Sequence, residues 1–466
     1  MSQTQVLVQE QLKCPLLEDR FSVLKQSIIK PEKKVRVIES YKRLVKVLAS
    51  EADGIHKAGP QVIPEIDFET IHQNGGNLPD SLVDVVHDRG CVIVRNVVPE
   101  NEASAWEAEL KDYTNRHRAV GGFPVDNPQT WSLFWTRPQV QIRSHPRVLE
   151  AMNSISKLWH VNDPTLPVDL TTQVAYPDRF RIRVPSKDSE YTLNAHVDSG
   201  SIERWECPKY RACYQAAFDG EWEKWDGWAA DTRLEAETDL YHMGGNCSCW
   251  RSMQGWLSLS HTGTGEGTLR LLPSLKASIS YLMLQPFFLN GANAFDDVTP
   301  QFPGGKPGFT QILPTKELHP DLHLEKSMIG IPPVKPGDYV FWHCDLLHEV
   351  DKFHPGKLDS SVVYNACTPL VPYNIDSLQS TRASFIEAGP ARDFAGYAKS
   401  LGSFEAENQH EDHGARMENI LSAEGRRAMG FEPFVVDEPG LTEGQRKVRQ
   451  MANDVLGSSK PALSHS

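Results

Sequence analysis

Apolar positions change period several times along the chain, and the changes divide it into segments. Phe21, Leu24, Ile28 and Ile29, then Val35, Val37, Ile38, Tyr41, Leu44, Val45 and Leu48 recur at helical spacing. They predict two helices within residues 16–58, with Pro31 opening the second near Lys30. Residues 60–68 are proline-punctuated and extended, and Asn74-Gly75-Gly76-Asn77 is a turn. Asp80 is the expected cap of a short helix through His87. An apolar run of strand type follows at residues 90–98 and is ended by Pro99. Residues 101–117 predict a helix with Ala105, Trp106, Leu110 and Tyr113 on its inner face. Residues 118–150 are loop-rich, and a further helix is expected from about residue 146 to 159.

The middle of the chain alternates instead. In residues 178–185, Phe180, Ile182 and Val184 face one way, and Arg179, Arg181 and Arg183 the other. A half-buried strand puts such a polar row in water. The competing expectation is a row inside a barrel mouth, where the planar fork of arginine suits an anionic ligand. Residues 201–240 hold four tryptophans (Trp205, Trp222, Trp225 and Trp228) among charges and turn glycines. They read as an irregular excursion, either a loop anchored by its aromatics or a substrate wall. Strands are expected at residues 254–261 and 268–273, joined by the glycine-rich turn 263–267. Residues 277–289 are apolar strand or helix, and 290–325 are loop. Pro336-Gly337-Asp338 is a tight turn before a strand at 339–344, with another strand at 360–366. Residues 376–455 are acidic and mostly helical, and 457–466 are an expected disordered tail.

Composition narrows the class. With 466 residues and a 39% hydrophobic fraction, the chain can bury a large core. Its net charge of −13 argues against a broad nucleic-acid surface. Eight cysteines form no CxxC pair, which fits reduced thiols in a cytoplasmic protein. The start Met-Ser-Gln-Thr-Gln has no basic and apolar signal pattern, and no run of about 18 apolar residues predicts a membrane span.

The candidate chemistry centres on His196-Val197-Asp198. A histidine and a carboxylate two residues apart on an extended backbone project to one side and can share a metal ion. One more histidine completes the 2-His-1-carboxylate triad of non-haem Fe(II) oxygenases. The pattern His-x-Asp also occurs at His319/Asp321, His343/Asp345 and His410/Asp412, and only His196 and His343 follow convincing strand patterns.

Three motifs stand in order: His-x-Asp, a Gly-x-Leu-Arg-x-x-Pro-Ser strand at 267–274, and Pro-Gly-Asp-x-x-x-x-His-x-x-x-x-His at 336–348. Together they resemble the core of Fe(II)/2-oxoglutarate dioxygenases, particularly the phytanoyl-CoA dioxygenase-like branch. Most of residues 20–455 is also similar to a large uncharacterised microbial family of that superfamily, most specifically in the string from His196 to Trp205. The resemblance implies an α+β protein with a double-stranded β-helix (jelly-roll, cupin-like) core. The expected layout is an N-terminal helical extension (1–60), the core (61–375) with the tryptophan-rich insertion (201–240), and a C-terminal helical region (376–456). It further implies His196, Asp198 and His348 as iron ligands, with His343 the competitor for the third place. The implied activity is oxidation of a small molecule with 2-oxoglutarate and molecular oxygen, releasing succinate and CO2. The superfamily's usual arginine about ten residues past the distal histidine is missing here. Lys357, Arg183 and Arg270 are the candidates to bind the co-substrate carboxylate. A cupin-type metal enzyme that does not use 2-oxoglutarate, and a silent binding protein on the same barrel, are the alternatives.

Overall fold

A computed structural model describes residues 14–187, 193–400 and 407–458. Its thirteen strands are β1 (Glu65–Asp67), β2 (Cys91–Arg95), β3 (Gly122–Phe123), β4 (Thr130–Trp131), β5 (Asp169–Gln173), β6 (Phe180–Arg183) and β7 (Met253–Ser258), followed by β8 (Leu269–Leu271), β9 (Ile329–Gly330), β10 (Tyr339–His343), β11 (His348–Val350), β12 (Ser360–Tyr364) and β13 (Pro369–Leu370). Eight form one sheet in the order β1-β2-β10-β7-β12-β6-β4-β3. Only β1 and β2 run parallel there. A second, antiparallel sheet has the order β11-β8-β9, and residues of both sheets line one cavity. The architecture is α+β, with a large mixed sheet and helices at both ends of the chain.

The central strands β2, β7 and β10 are buried on both faces, which explains the near-continuous apolar runs of β2 and β10. The turn before β10 forms as expected. Gly337 sits at φ 91° with its Cα against the Val98 carbonyl, where a Cβ would collide.

Several expectations need correction. Asp80 is the first helical residue of Asp80–Arg89, and Pro79 holds the cap position. On the helix Glu100–Arg116 it is Ala103, not Ala105, that is buried with Trp106, Leu110 and Tyr113. The loop-rich stretch contains the helix Arg137–Ser144, started by a capping box of Thr136 and Gln139. Residues 60–68 supply only β1 as strand. The ambiguous apolar stretch is the helix Leu275–Leu284, buried at every position but Lys276. The expected tail falls mostly outside the described residues.

The end segments pack onto the body of the protein. Tyr41 of the long helix Lys34–Ala58 stacks on Phe288 (centroids 3.9 Å apart) and on Tyr281. Glu407 accepts the backbone N–H groups of Phe134 and Trp135, both at 2.8 Å. Among the described residues no helix is long and apolar enough to cross a membrane, and all eight cysteines are free thiols.

The tryptophan-rich segment is held by its aromatics, as the first of its two readings has it. Trp205, Trp222, Trp225 and Trp228 are buried in the main core, and no described residue of 201–240 lines the cavity. The segment is also held by charge. Asp345, just past β10, accepts from Arg204 (2.6 Å), Arg233 (2.5 Å) and the Tyr214 hydroxyl (2.8 Å), all fully or almost fully buried. Burial pushes the Asp345 carboxyl up, but the two guanidinium groups outweigh it and hold it well below the usual carboxylate range. Its contribution to stability is therefore complete above the unfolded-chain value of about 3.9 and is lost as pH falls toward the lower folded value. Asp345→Ala strands two buried cations and should destabilise the fold by about 3–5 kcal/mol, read as a lowered urea midpoint. That deficit should persist at neutral pH and shrink on strong acidification.

Candidate metal centre

The backbone brings the two predicted histidines together. His196 and His348 form an isolated antiparallel bridge in which His196 N–H donates to the His348 carbonyl (2.9 Å) and His348 N–H to the His196 carbonyl (3.1 Å). Directly opposed residues project to the same face, so the imidazole centroids lie only 4.1 Å apart. Val197 pairs with Ile312 on the other edge of the same segment. Alternation then returns Asp198 to the histidine side. Its carboxylate oxygens stand 3.8 Å from His196 Nε2 and 3.4 Å from His348 Nε2. Ser199 and Gly200, both at positive φ, turn the chain away immediately afterwards.

Each imidazole is fixed through its other nitrogen. His196 Nδ1 donates to the Asn194 carbonyl (2.7 Å) and His348 Nδ1 to the Leu346 carbonyl (3.0 Å), the same i−2 arrangement twice. That leaves both Nε2 lone pairs facing Asp198, the tautomer a metal requires. Burial, with repulsion from His348, pushes His196 down to about 4, so it is neutral at physiological pH. Burial pushes Asp198 up, but the positive electrostatic surroundings, with the Arg251 guanidinium among them, outweigh it and hold the carboxyl well below the usual range. Gln311 donates to the Asp198 carboxylate at 2.7 Å and orients it. The donor atoms lie within 4.8 Å of one another, a separation that suits a single cation.

The other His-x-Asp pairs are engaged elsewhere. His343 uses both nitrogens on the backbone, Nδ1 accepting from Asp345 N–H (3.0 Å) and Nε2 donating to the Gly227 carbonyl (3.0 Å), and it stacks on Trp159. His319 Nδ1 accepts from Thr315 N–H. His410 bonds the Tyr113 hydroxyl (2.6 Å), and Asp412 pairs with Arg116 and His117.

The triad opens into a cavity of about 170 Å3. Leu193, Leu269 and Val350 give it an apolar side, and Arg181, Gln254 and Trp342 of the large sheet a polar one. None of the three predicted co-substrate residues lines it. Arg183 is buried, but its guanidinium donates to the carbonyls of Gly267, Asp351 and Lys352. Arg270 lies opposite Glu349 across β8 and β11, on the face away from His348, and pairs with it at 3.3 Å. Lys357 is exposed. Arg181, in the same arginine row, does reach the cavity. It is 2% exposed, and its guanidinium donates to the Ser360 hydroxyl (3.4 Å). Its Nε, Gln254 Nε2, Trp342 Nε1 and Arg251 Nε are all buried without a partner among the described residues. Such donors call for an acceptor from a ligand or water. Gln311, Arg251 and Phe394 are site residues without a local signal in the sequence. Gln254 carried one, as a polar residue on the inward face of an apolar strand.

A family model described as Gig2-like matches residues 15–431. The chain belongs to the Gig2-like family. A solved relative in that fold is GlcNAc Inducible Gene 2, GIG2, of Candida albicans: 38% identical, TM-score 0.87, with 97% of each chain covered. The uncharacterised protein YbiU of Escherichia coli is 28% identical over 82% of this chain and 89% of its own length. A Salmonella typhimurium LT2 protein, whose name proposes an oxidoreductase, is 25% identical with a TM-score of 0.73, covering 88% of this chain and 96% of that one. Fold likeness extends weakly to the non-heme alpha ketoglutarate dependent carbocyclase SnoK, at 13% identity and a TM-score of 0.36 over 64% of this chain and 89% of that one.

Metal retention separates the two histidines of the 336–348 motif. His348→Ala should abolish retention of iron or manganese after desalting, measured by elemental analysis. His343→Asn should keep the metal while lowering the melting temperature, because it removes a stacked, doubly bonded ring.

Proposed function

We propose that this Gig2-like protein is a non-haem Fe(II)/2-oxoglutarate-dependent oxygenase that oxidises a small organic molecule, with release of succinate and CO2. The observation that carries the reading is the convergence of two tautomer-fixed Nε2 atoms and one oriented carboxylate on a buried, unshared point at the end of a cavity. Two imidazoles and a carboxylate are the facial donor set for iron, and they leave the cavity side open. Iron, when bound, supplies the oxygen chemistry that no side chain here can perform.

The chain's own residues bind, orient and exclude water. His196, Asp198 and His348 hold the metal. The carbonyls of Asn194 and Leu346 keep both imidazoles aimed, and Gln311 keeps the carboxylate aimed. Arg181 lines the same cavity and supplies a donor, its Nε, for the far carboxylate of 2-oxoglutarate. This assigns to Arg181 the role that the sequence offered to Arg183, Arg270 or Lys357. The two sheets around the cavity are read as the jelly-roll core of the superfamily. The apolar side formed by Leu193, Leu269 and Val350 keeps bulk water from the metal.

The test is anaerobic reconstitution with Fe(II), followed by oxygen exposure with 2-oxoglutarate and a metabolite panel. The wild-type protein should release succinate in an iron- and 2-oxoglutarate-dependent way, and His196→Ala should release none above background. Equal succinate release from both proteins would overturn the assignment.

A further inference from the structure

Arg251 stands just before β7 and reaches the metal side of the cavity. Its side chain is 11% exposed, lies 5.4 Å over the Tyr176 ring and comes within 4.0 Å of Asp198. Its Nε is buried without a partner among the described residues. The carboxylate that faces it is the one already committed to the triad. With a cation between His196, His348 and Asp198, that carboxylate turns its charge to the metal and leaves Arg251 without the carboxylate it faces. A guanidinium in such a place needs another anion.

The charges around the cavity say how large that anion's charge is. Asp178 and Arg179 form an ion pair at 3.2 Å and cancel. Arg183 spends its donors on backbone carbonyls outside the lining. A divalent ion exceeds Asp198 by one charge, and Arg181 and Arg251 add one each. 2-Oxoglutarate brings two negative charges, so one positive charge is left over, and it resides at Arg251. A single negative charge balances it, which favours a carboxylate over the doubly charged phosphate monoester. The planar guanidinium fork matches a carboxylate bidentately. Tyr176 and Phe394, with centroids 6.3 Å apart, form an aromatic wall beside it for an apolar body. The cavity volume limits that body to a small molecule.

We infer that the oxidised substrate is a small monocarboxylic acid whose carboxylate is bound by Arg251 beside the metal, an inference that rests on the iron and 2-oxoglutarate reading. The experiment is calorimetric titration of anaerobic, Mn(II)-loaded full-length protein. 2-Oxoglutarate is titrated first. Matched acid and amide pairs (acetate and acetamide, hexanoate and hexanamide, benzoate and benzamide) are then titrated into the 2-oxoglutarate complex. At least one acid should bind about tenfold or more tighter than its amide, the scale of one charge-assisted pair. Arg251→Gln should erase that preference while leaving 2-oxoglutarate affinity within about threefold, and Arg251→Lys should restore part of it. No acid preference in the wild-type protein, or a preference that survives Arg251→Gln, overturns the inference. So does a loss of 2-oxoglutarate binding in Arg251→Gln, which would make Arg251 the co-substrate anchor. Failure of the wild-type protein to bind 2-oxoglutarate sinks the parent reading instead. The same pairs titrated into the Mn(II) protein alone then decide whether Arg251 selects acids.

Discussion

The candidate site depends on one reciprocal pair of backbone hydrogen bonds, between His196 and His348. Those bonds set two imidazoles side by side, tilted by 54° with centroids 4.1 Å apart, although the residues lie far apart in the chain. Once that register exists, strand alternation alone brings Asp198 to the same side, and the i−2 carbonyls fix both ring tautomers. A slip of one residue in this pairing would send His196 and Asp198 to the face opposite His348. The site is therefore a product of sheet register, and side-chain packing refines it without creating it.

The register is protected from two directions. Gln311, on the strand-like segment that pairs with Val197, holds the Asp198 carboxylate. On the other flank, Asp345 lies between β10 and β11 and is clamped by Arg204 and Arg233. Arg204 also donates to the Asp198 carbonyl, so a single buried guanidinium links the two segments that carry the donor residues. The tryptophan-rich excursion is thus a brace that holds the site's two strands at a fixed spacing, and its buried aromatics hold the brace in place.

Much of this was legible in the sequence because it is local. The strands at 178–185 and 254–261 announce themselves by period two, the strand at 339–344 by its apolar run, and the turn at Gly337 by composition. His196, Asp198 and His348 sit in recognisable strings, and the structure brings those three together. What was illegible depends on distant partners. Arg183 and Arg181 share a face of one strand, and nothing in the residues around them says that carbonyls at 351 and 352 will capture the first while the Nε of the second stays open to the cavity. Arg270 was set aside by its cross-strand neighbour Glu349, a pairing that depends on register. The helix Arg137–Ser144 was hidden by the glycines, prolines and tryptophans around it, although Thr136 and Gln139 spelled out its capping box. The aromatic wall was invisible for the same reason as the arginine beside it: Phe394 and Tyr176 are far apart in the chain.

Phe394 belongs to the helix Arg392–Ser400, outside both sheets, yet it lines the same space as the three donor residues. The part of the molecule that would activate oxygen and the part that would choose what is oxidised are thus encoded in separate stretches of chain. Within the Gig2-like family, drift in that one peripheral helix could retune chemical taste while the inner apparatus stays unaltered.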